Sequence, residues 1–237
     1  SSNPDSTSLA KAGDNVTLAV QSSERLGTIQ LVKLDNTTEA LQASGNAGTV
    51  WLLRRTVVDG DNGPLEFRLR YDDLVGNTGV EVTATTDGTS VTVDTTAPEV
   101  SSVSIVSNNA DTTLAKAEDE VTLSFTTSEP VRTPTASDVT MGSLTGVAIT
   151  SLDDEGKAWK AKGTVPASAN GNASFSITVL DNAGNRGSPK TTTTDQTAVT
   201  LDTTAPTLSS VTLASNNVST NRAKSGDTLT LAFTSSE

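Results

Sequence analysis

The sequence has no cysteine and no histidine. Disulfides, thiolate and imidazole metal sites, and Ser-His or Cys-His nucleophile pairs are therefore excluded. Aromatic side chains are scarce: two Trp, one Tyr and four Phe among 237 residues. No run approaches the 18 apolar residues of a membrane-spanning helix, and the opening SSNPDSTSLA lacks the charged and apolar regions of a signal peptide. Positive charge is also short. With 16 basic against 28 acidic residues the net charge is −12, which repels phosphate backbones and anionic lipid. We expect no nucleic-acid partner and no direct membrane insertion, and divalent cations as natural ligands.

Ser and Thr supply 69 of the 237 residues. Together with the few aromatics, they favour β structure with small cores over an enzyme with a deep pocket. DTTAP occurs twice, at 94–98 and again at 202–206. Around it, SNPDSTSLAKAGDNVTLAVQSSER (2–25), SNNADTTLAKAEDEVTLSFTTSEP (107–130) and SNNVSTNRAKSGDTLTLAFTSSE (215–237) align without a gap, 105 and then 108 residues apart. Trp51 precedes Trp159 by 108 residues, and Phe67 precedes Phe175 by the same distance. Internal repetition of this period predicts tandem units: 1–94 with its first strand truncated, 95–202 complete, and 203–237 carrying the opening two strands of a third. A two-strand piece cannot bury a core of its own, so the chain reads as an excerpt of a longer array or as one whose ends neighbouring copies complete.

Within 95–202, residues 100–106, 120–127, 158–165, 173–180 and 191–201 alternate as half-buried strands do. Turn clusters such as LDDEG and DNAGNRGSP separate them, and no stretch has a helical period. The expectation is an all-β fold: antiparallel two-sheet sandwiches of immunoglobulin type in an elongated array. Trp51, Trp159, Phe67, Phe125, Phe175 and Phe233 fall at strand positions that predict core or half-core packing.

TSEPV (127–131), DNAGN (181–185) and the two DTTAP segments resemble the signatures of bacterial immunoglobulin-like repeats. The resemblance covers the whole chain. It implies the stalk of a secreted adhesin or other large surface protein, extracellular or at the cell surface. The first unit departs from it, with SERLG for SEPVR and DLVGN for DNAGN.

In such a sandwich the start of the first strand, the loop after the second and the loop before the last all lie at one pole. Asp94, Glu129 and Asp181 should therefore converge where the linker enters the second unit. Three carboxylates repel one another, whereas calcium takes six to eight hard oxygens. The plainer reading is that Asp181 makes an Asx-turn ahead of Gly184 while Glu129 and Asp94 are solvated. Parts of the trio recur as Glu24 with Asp73 and as Asp202 with Glu237. The run DGDNG at 59–63 also resembles a calcium loop, although its counterpart ASANG has no acid.

The sequence thus predicts a non-enzymatic spacer whose partners are neighbouring immunoglobulin-like repeats, with calcium stiffening each junction. Two alternatives remain: a glycan-binding module array of a secreted protein, which requires exposed aromatics, and a self-assembling filament subunit whose terminal units are completed by other copies.

Overall fold

The computed structural model describes residues 1–34, 42, 43 and 48–237. Alternation is strictest in the strand Glu120–Thr127, where Val121, Leu123, Phe125 and Thr127 are buried and the residues between them half-exposed. Period-two alternation of β-branched and aromatic side chains suits a pleated ribbon with one covered face. This strand pairs antiparallel with Ala158–Thr164 on one side and Val100–Ser107 on the other, so that Phe125 stands between Trp159 and Val103. Thr145–Ser151 joins beyond Ala158–Thr164 and completes a four-stranded sheet.

The opposing layer is built of shorter pairings. Val139–Thr140 pairs with Ser176–Ile177, and bridges Val131↔Asp181, Ile177↔Lys190 and Leu180↔Arg186 extend the ladder. Thr200–Leu201 runs parallel to Leu114–Ala115 and antiparallel to Gly171–Asn172. One continuous core lies between the layers, with Val103, Ile105, Leu123 and Phe125 facing Val139, Ile177, Val179 and Leu201. Among the described residues every regular element is a strand, and the fold is an all-β sandwich.

Residues 173–180 and 191–201 contain less regular strand than their alternation predicts, because irregular backbone with isolated bridges replaces long ladders there. Conversely, Thr145–Ser151 is a strand that alternation misses. It is an edge strand with mostly exposed side chains, so nothing in its burial imposes a pattern.

Residues 9–93 repeat much of this pairing. Asn15–Gln21 pairs with Val50–Thr56, Leu26–Leu34 with Phe67–Asp73, and Leu9–Ala10 runs parallel to Thr92–Val93. The core here is split in two, one cluster around Ala10, Val16, Val57 and Val93 and another around Leu53 and Leu69. The gapless alignment needs one correction. Asn3 and Asp5 make the turn bonds that Asn109 and Asp111 make, an offset of 106, whereas Leu9 and Leu114 pair equivalently at 105. One extra residue is therefore inserted between Asp5 and Leu9.

Leu208–Ser215 and Leu229–Ser235 form a two-stranded ribbon. Phe233 is 63% exposed on it, contrary to the expectation of core packing, because among the described residues no second layer covers the ribbon. Phe125 and Phe175 are buried, and Phe67 is half-buried. Trp159 is 4% exposed and its indole N–H donates to Gly156 O at 3.1 Å. Trp51 is half-buried and makes the matching bond to Gly48 O at 3.3 Å.

Candidate metal centre

Residues 181–185 form a turn because Asp181 is an acceptor for its own loop. Its Oδ1 takes the backbone N–H groups of Gly184 at 2.6 Å and Asn185 at 2.9 Å, and its Oδ2 takes Asn185 Nδ2 at 2.7 Å. Gly184 supplies the left-handed φ of 90° that the turn requires. The Asx-turn reading of Asp181 is thus realised. The turn also holds the carboxylate, which is 1% exposed, in one orientation.

Asn185 reaches across to the linker, where its Nδ2 donates to Asp94 O at 2.8 Å. Asp94 caps its own stretch by accepting from Thr96 N at 3.0 Å. Glu129 lies just past the strand Glu120–Thr127, and its backbone carbonyl accepts from Thr127 Oγ1 at 2.7 Å. One carboxylate oxygen from each of Asp94, Glu129 and Asp181 lies within 4.8 Å of the other two. The convergence expected from topology is therefore present.

The electrostatics match an anionic cluster. Burial pushes the Glu129 carboxyl above its ordinary range, the charges of Asp94 and Asp181 push it further, and Lys157 offsets them in part. Among the described residues no hydrogen bond reaches the Glu129 carboxylate. Hard oxygens on three separate segments, one of them fixed by its turn and one without a donor, fit the needs of a calcium ion. Thiolate- or imidazole-seeking metals find no ligand here.

The other predicted acids are not gathered in this way among the described residues. Asp73 repeats the Asp181 turn, accepting from Val75 N, Asn77 N and Asn77 Nδ2 at 2.7 to 2.9 Å, which holds its carboxyl below the usual range. Glu24 is exposed, as are Asp202 and Glu237. The DGDNG run has another use. Asp61 pairs with the buried Arg55 guanidinium at 2.6 Å, and Asn62 Oδ1 accepts from Thr95 N at 2.8 Å.

That last bond is a functional residue the acid pattern obscured. Asn170 Oδ1 accepts from Thr203 N at the same 2.8 Å, so an Asn-Gly pair clamps the linker after each DTTAP aspartate. The signal was the NG common to DGDNG and ASANG. Direct contacts add to the junction: Asn3 Nδ2 donates to Ala183 O at 2.8 Å, and Arg132 pairs with Asp5 at 3.0 Å. Pro98 is fully buried, whereas Pro206 is exposed.

No protein-family model and no curated protein matches the chain. Among solved structures, it is similar to the D00-D0 domain of Intimin, with 16% identity and a TM-score of 0.32 over 80% of this chain and 96% of that one. A Bacteroides ovatus mixed-linkage glucan utilization protein, SGBP-B, in complex with a mixed-linkage heptasaccharide gives 16% identity and a TM-score of 0.21, covering 92% of this chain and 49% of that one. An endo-fucoidan hydrolase from glycoside hydrolase family 107 gives 14% and 0.26, covering 82% and 27%. The chain thus spans about half or less of the latter two. The fold rests on the chain's own ladders, since TM-scores of this size carry no weight.

Proposed function

We propose that the chain is a non-enzymatic structural spacer, a tandem run of immunoglobulin-like units (1–94, 95–202 and the opening of another at 203–237) in a large extracellular or cell-surface protein. Its mechanism is stiffness at the junctions, with calcium held by Asp94, Glu129 and Asp181. The observation that carries this reading is the convergence of those three carboxylates where the linker enters the second sandwich. The ion would neutralise a repulsion that otherwise loosens the linker, while Asn62, Asn185 and the Arg132–Asp5 pair position the segments around it. Asp202 with Glu237, and Glu24 with Asp73, are proposed as parts of equivalent sites. Adhesion would belong to other parts of the parent protein, and these residues would set its reach.

Small-angle scattering with chelator and with about 2 mM calcium tests the reading, since extracellular modules bind calcium at about 0.1 to 1 mM. We expect a narrower distance distribution with calcium, and no response once Asp94, Glu129 and Asp181 are all changed to Ala. Superimposable curves for the unaltered chain would refute calcium stiffening.

A further inference from the structure

One asparagine is used differently in the first unit. Asn109 and Asn217 each donate their side-chain Nδ2 to an aspartate ten residues on in the same unit, Asp119 and Asp227, at 2.8 Å. Asn3 makes the same turn, its Oδ1 accepting from Asp5 N at 3.0 Å, and Asp14 accepts from Lys11 N at 2.9 Å as Asp119 does from Lys116 N. The Asn3 amide nevertheless does not return to Asp14. It crosses the junction and donates to Ala183 O at 2.8 Å, and the residue is 4% exposed.

The two kinds of turn differ in length. Ser6, Thr7 and Ser8 fill the interval between Asp5 and Leu9, where Thr112 and Thr113 alone fill the interval between Asp111 and Leu114. Asn3 therefore stands eleven residues ahead of Asp14, one more than separates Asn109 from Asp119 and Asn217 from Asp227.

The surface that Asn3 meets is the turn 181–185. Asp181 holds this turn from within, while the carbonyls of Asn182 and Ala183 accept from Arg132 and Asn3. Arg132 Nη2 lies 3.3 Å from Asn182 O and 3.0 Å from the Asp5 carboxylate, so one guanidinium spans both units. A Cβ added at Gly184 would lie 3.0 Å from Arg132 Nη2 and 3.5 Å from both Asp5 Oδ2 and Lys11 Cε. The first unit is seated closely against the turn.

We propose that the inserted residue converts a tie inside one unit into a latch between two. The longer turn carries the Asn3 amide out of reach of Asp14 and onto Ala183 O, whereas the shorter turn keeps Asn109 for Asp119. The length of one loop then decides whether a unit grips its C-terminal neighbour through this asparagine. One hydrogen bond replaces another of equal length, and the new one is shielded from water. The latch itself needs no metal. That calcium would strengthen it, by bracing the same turn from the Asp181 side, rests on the calcium reading.

The test uses the whole chain in chelator, spin-labelled at Thr17→Cys and Ala148→Cys, which are exposed positions in the first and second units of a chain with no cysteine of its own. Pulsed dipolar spectroscopy should resolve a narrow latched distance. Deleting Thr7 should lower its population about fivefold, the weight of one buried hydrogen bond. Asn3→Ala should do the same at the natural loop length and add nothing once Thr7 is deleted. Absence of the narrow distance from the unaltered chain, an undiminished population in either variant, or an equal further loss from Asn3→Ala in the deleted background overturns the proposal. Asn3→Ala leaves the loop length unchanged, so it decides the matter by itself where the deletion prevents folding. A latched population that ignores added calcium would count against the metal site and leave the latch standing.

Discussion

Asn185 stands between Asp181 and Asp94, its Nδ2 2.7 Å from one carboxylate and 2.8 Å from the other residue's carbonyl. A single amide thereby ties the turn that aims Asp181 to the linker that carries Asp94. Asn185→Ala removes both bonds and leaves two acceptors at a partly buried site. We expect a loss of about 1 to 3 kcal/mol in thermal unfolding, with faster exchange at the Gly184 amide. A smaller loss than that of Asn182→Ala, whose side chain lies outside this link, would contradict the assignment.

Acidification separates Glu129 from the other acids. Its folded pKa is raised, so at neutral pH its ionised form costs the metal-free junction stability, and that cost is relieved as pH falls through the raised value. Asp119 and Asp227 behave oppositely. Their pKa values are lowered, first by the Asn109 and Asn217 amides, so their contribution is present above the ordinary value of 3.8 and is lost as pH falls through the lowered folded value. If calcium is held as proposed, protons compete with it at Glu129. The calcium-induced stabilisation, about 2 kcal/mol for free calcium about twentyfold above its Kd, should shrink as pH falls toward the raised Glu129 value. Glu129→Gln should flatten that dependence; an unchanged dependence in the variant would place calcium elsewhere.

Gly187 packs against the buried linker proline, and a Cβ there would lie 2.4 Å from Pro98 O. The obstacle is backbone and cannot rotate away. Gly187→Ala should cost about 1 to 3 kcal/mol and loosen the linker, read by calorimetry and by proteolysis at 94–98. A neutral result would show that the linker does not hold this position in solution.

Glu118 has φ 71°, at a turn where the two aligned segments place Gly13 at φ 87° and Gly226 at φ 91°. Left-handed backbone costs a residue with a side chain about 1 to 2 kcal/mol, of which glycine's greater unfolded-state freedom returns part. Glu118→Gly should therefore stabilise by about 0.5 to 1 kcal/mol in chemical denaturation, and destabilisation would refute the argument.

The turns, the β class and the acid trio were legible because each leaves a local or repeated mark: the Asp-x-x-Gly-Asn turn, alternation in EVTLSFTT, and acids at fixed positions in the aligned units. Thr145–Ser151 was not legible because an edge strand imposes little burial. Asn62 was masked by neighbouring acids that drew attention to charge, while its work is done by an amide oxygen. The exposure of Phe233 was hidden for another reason. Alternation tells which face of a strand is apolar, and whether a second layer covers that face is decided by residues far away in the chain.

Val100–Ser107 begins at the pole of Asp181, and Thr200–Leu201 ends beside Leu114–Ala115 at the opposite pole. Traction on the flanking linkers would therefore pull the first and last strands along their own lengths. Their ladders with Glu120–Thr127 and Leu114–Ala115 would be loaded in shear, all bonds resisting together, instead of unzipping one at a time. A sandwich connected in this way meets a stretching load in its strongest direction.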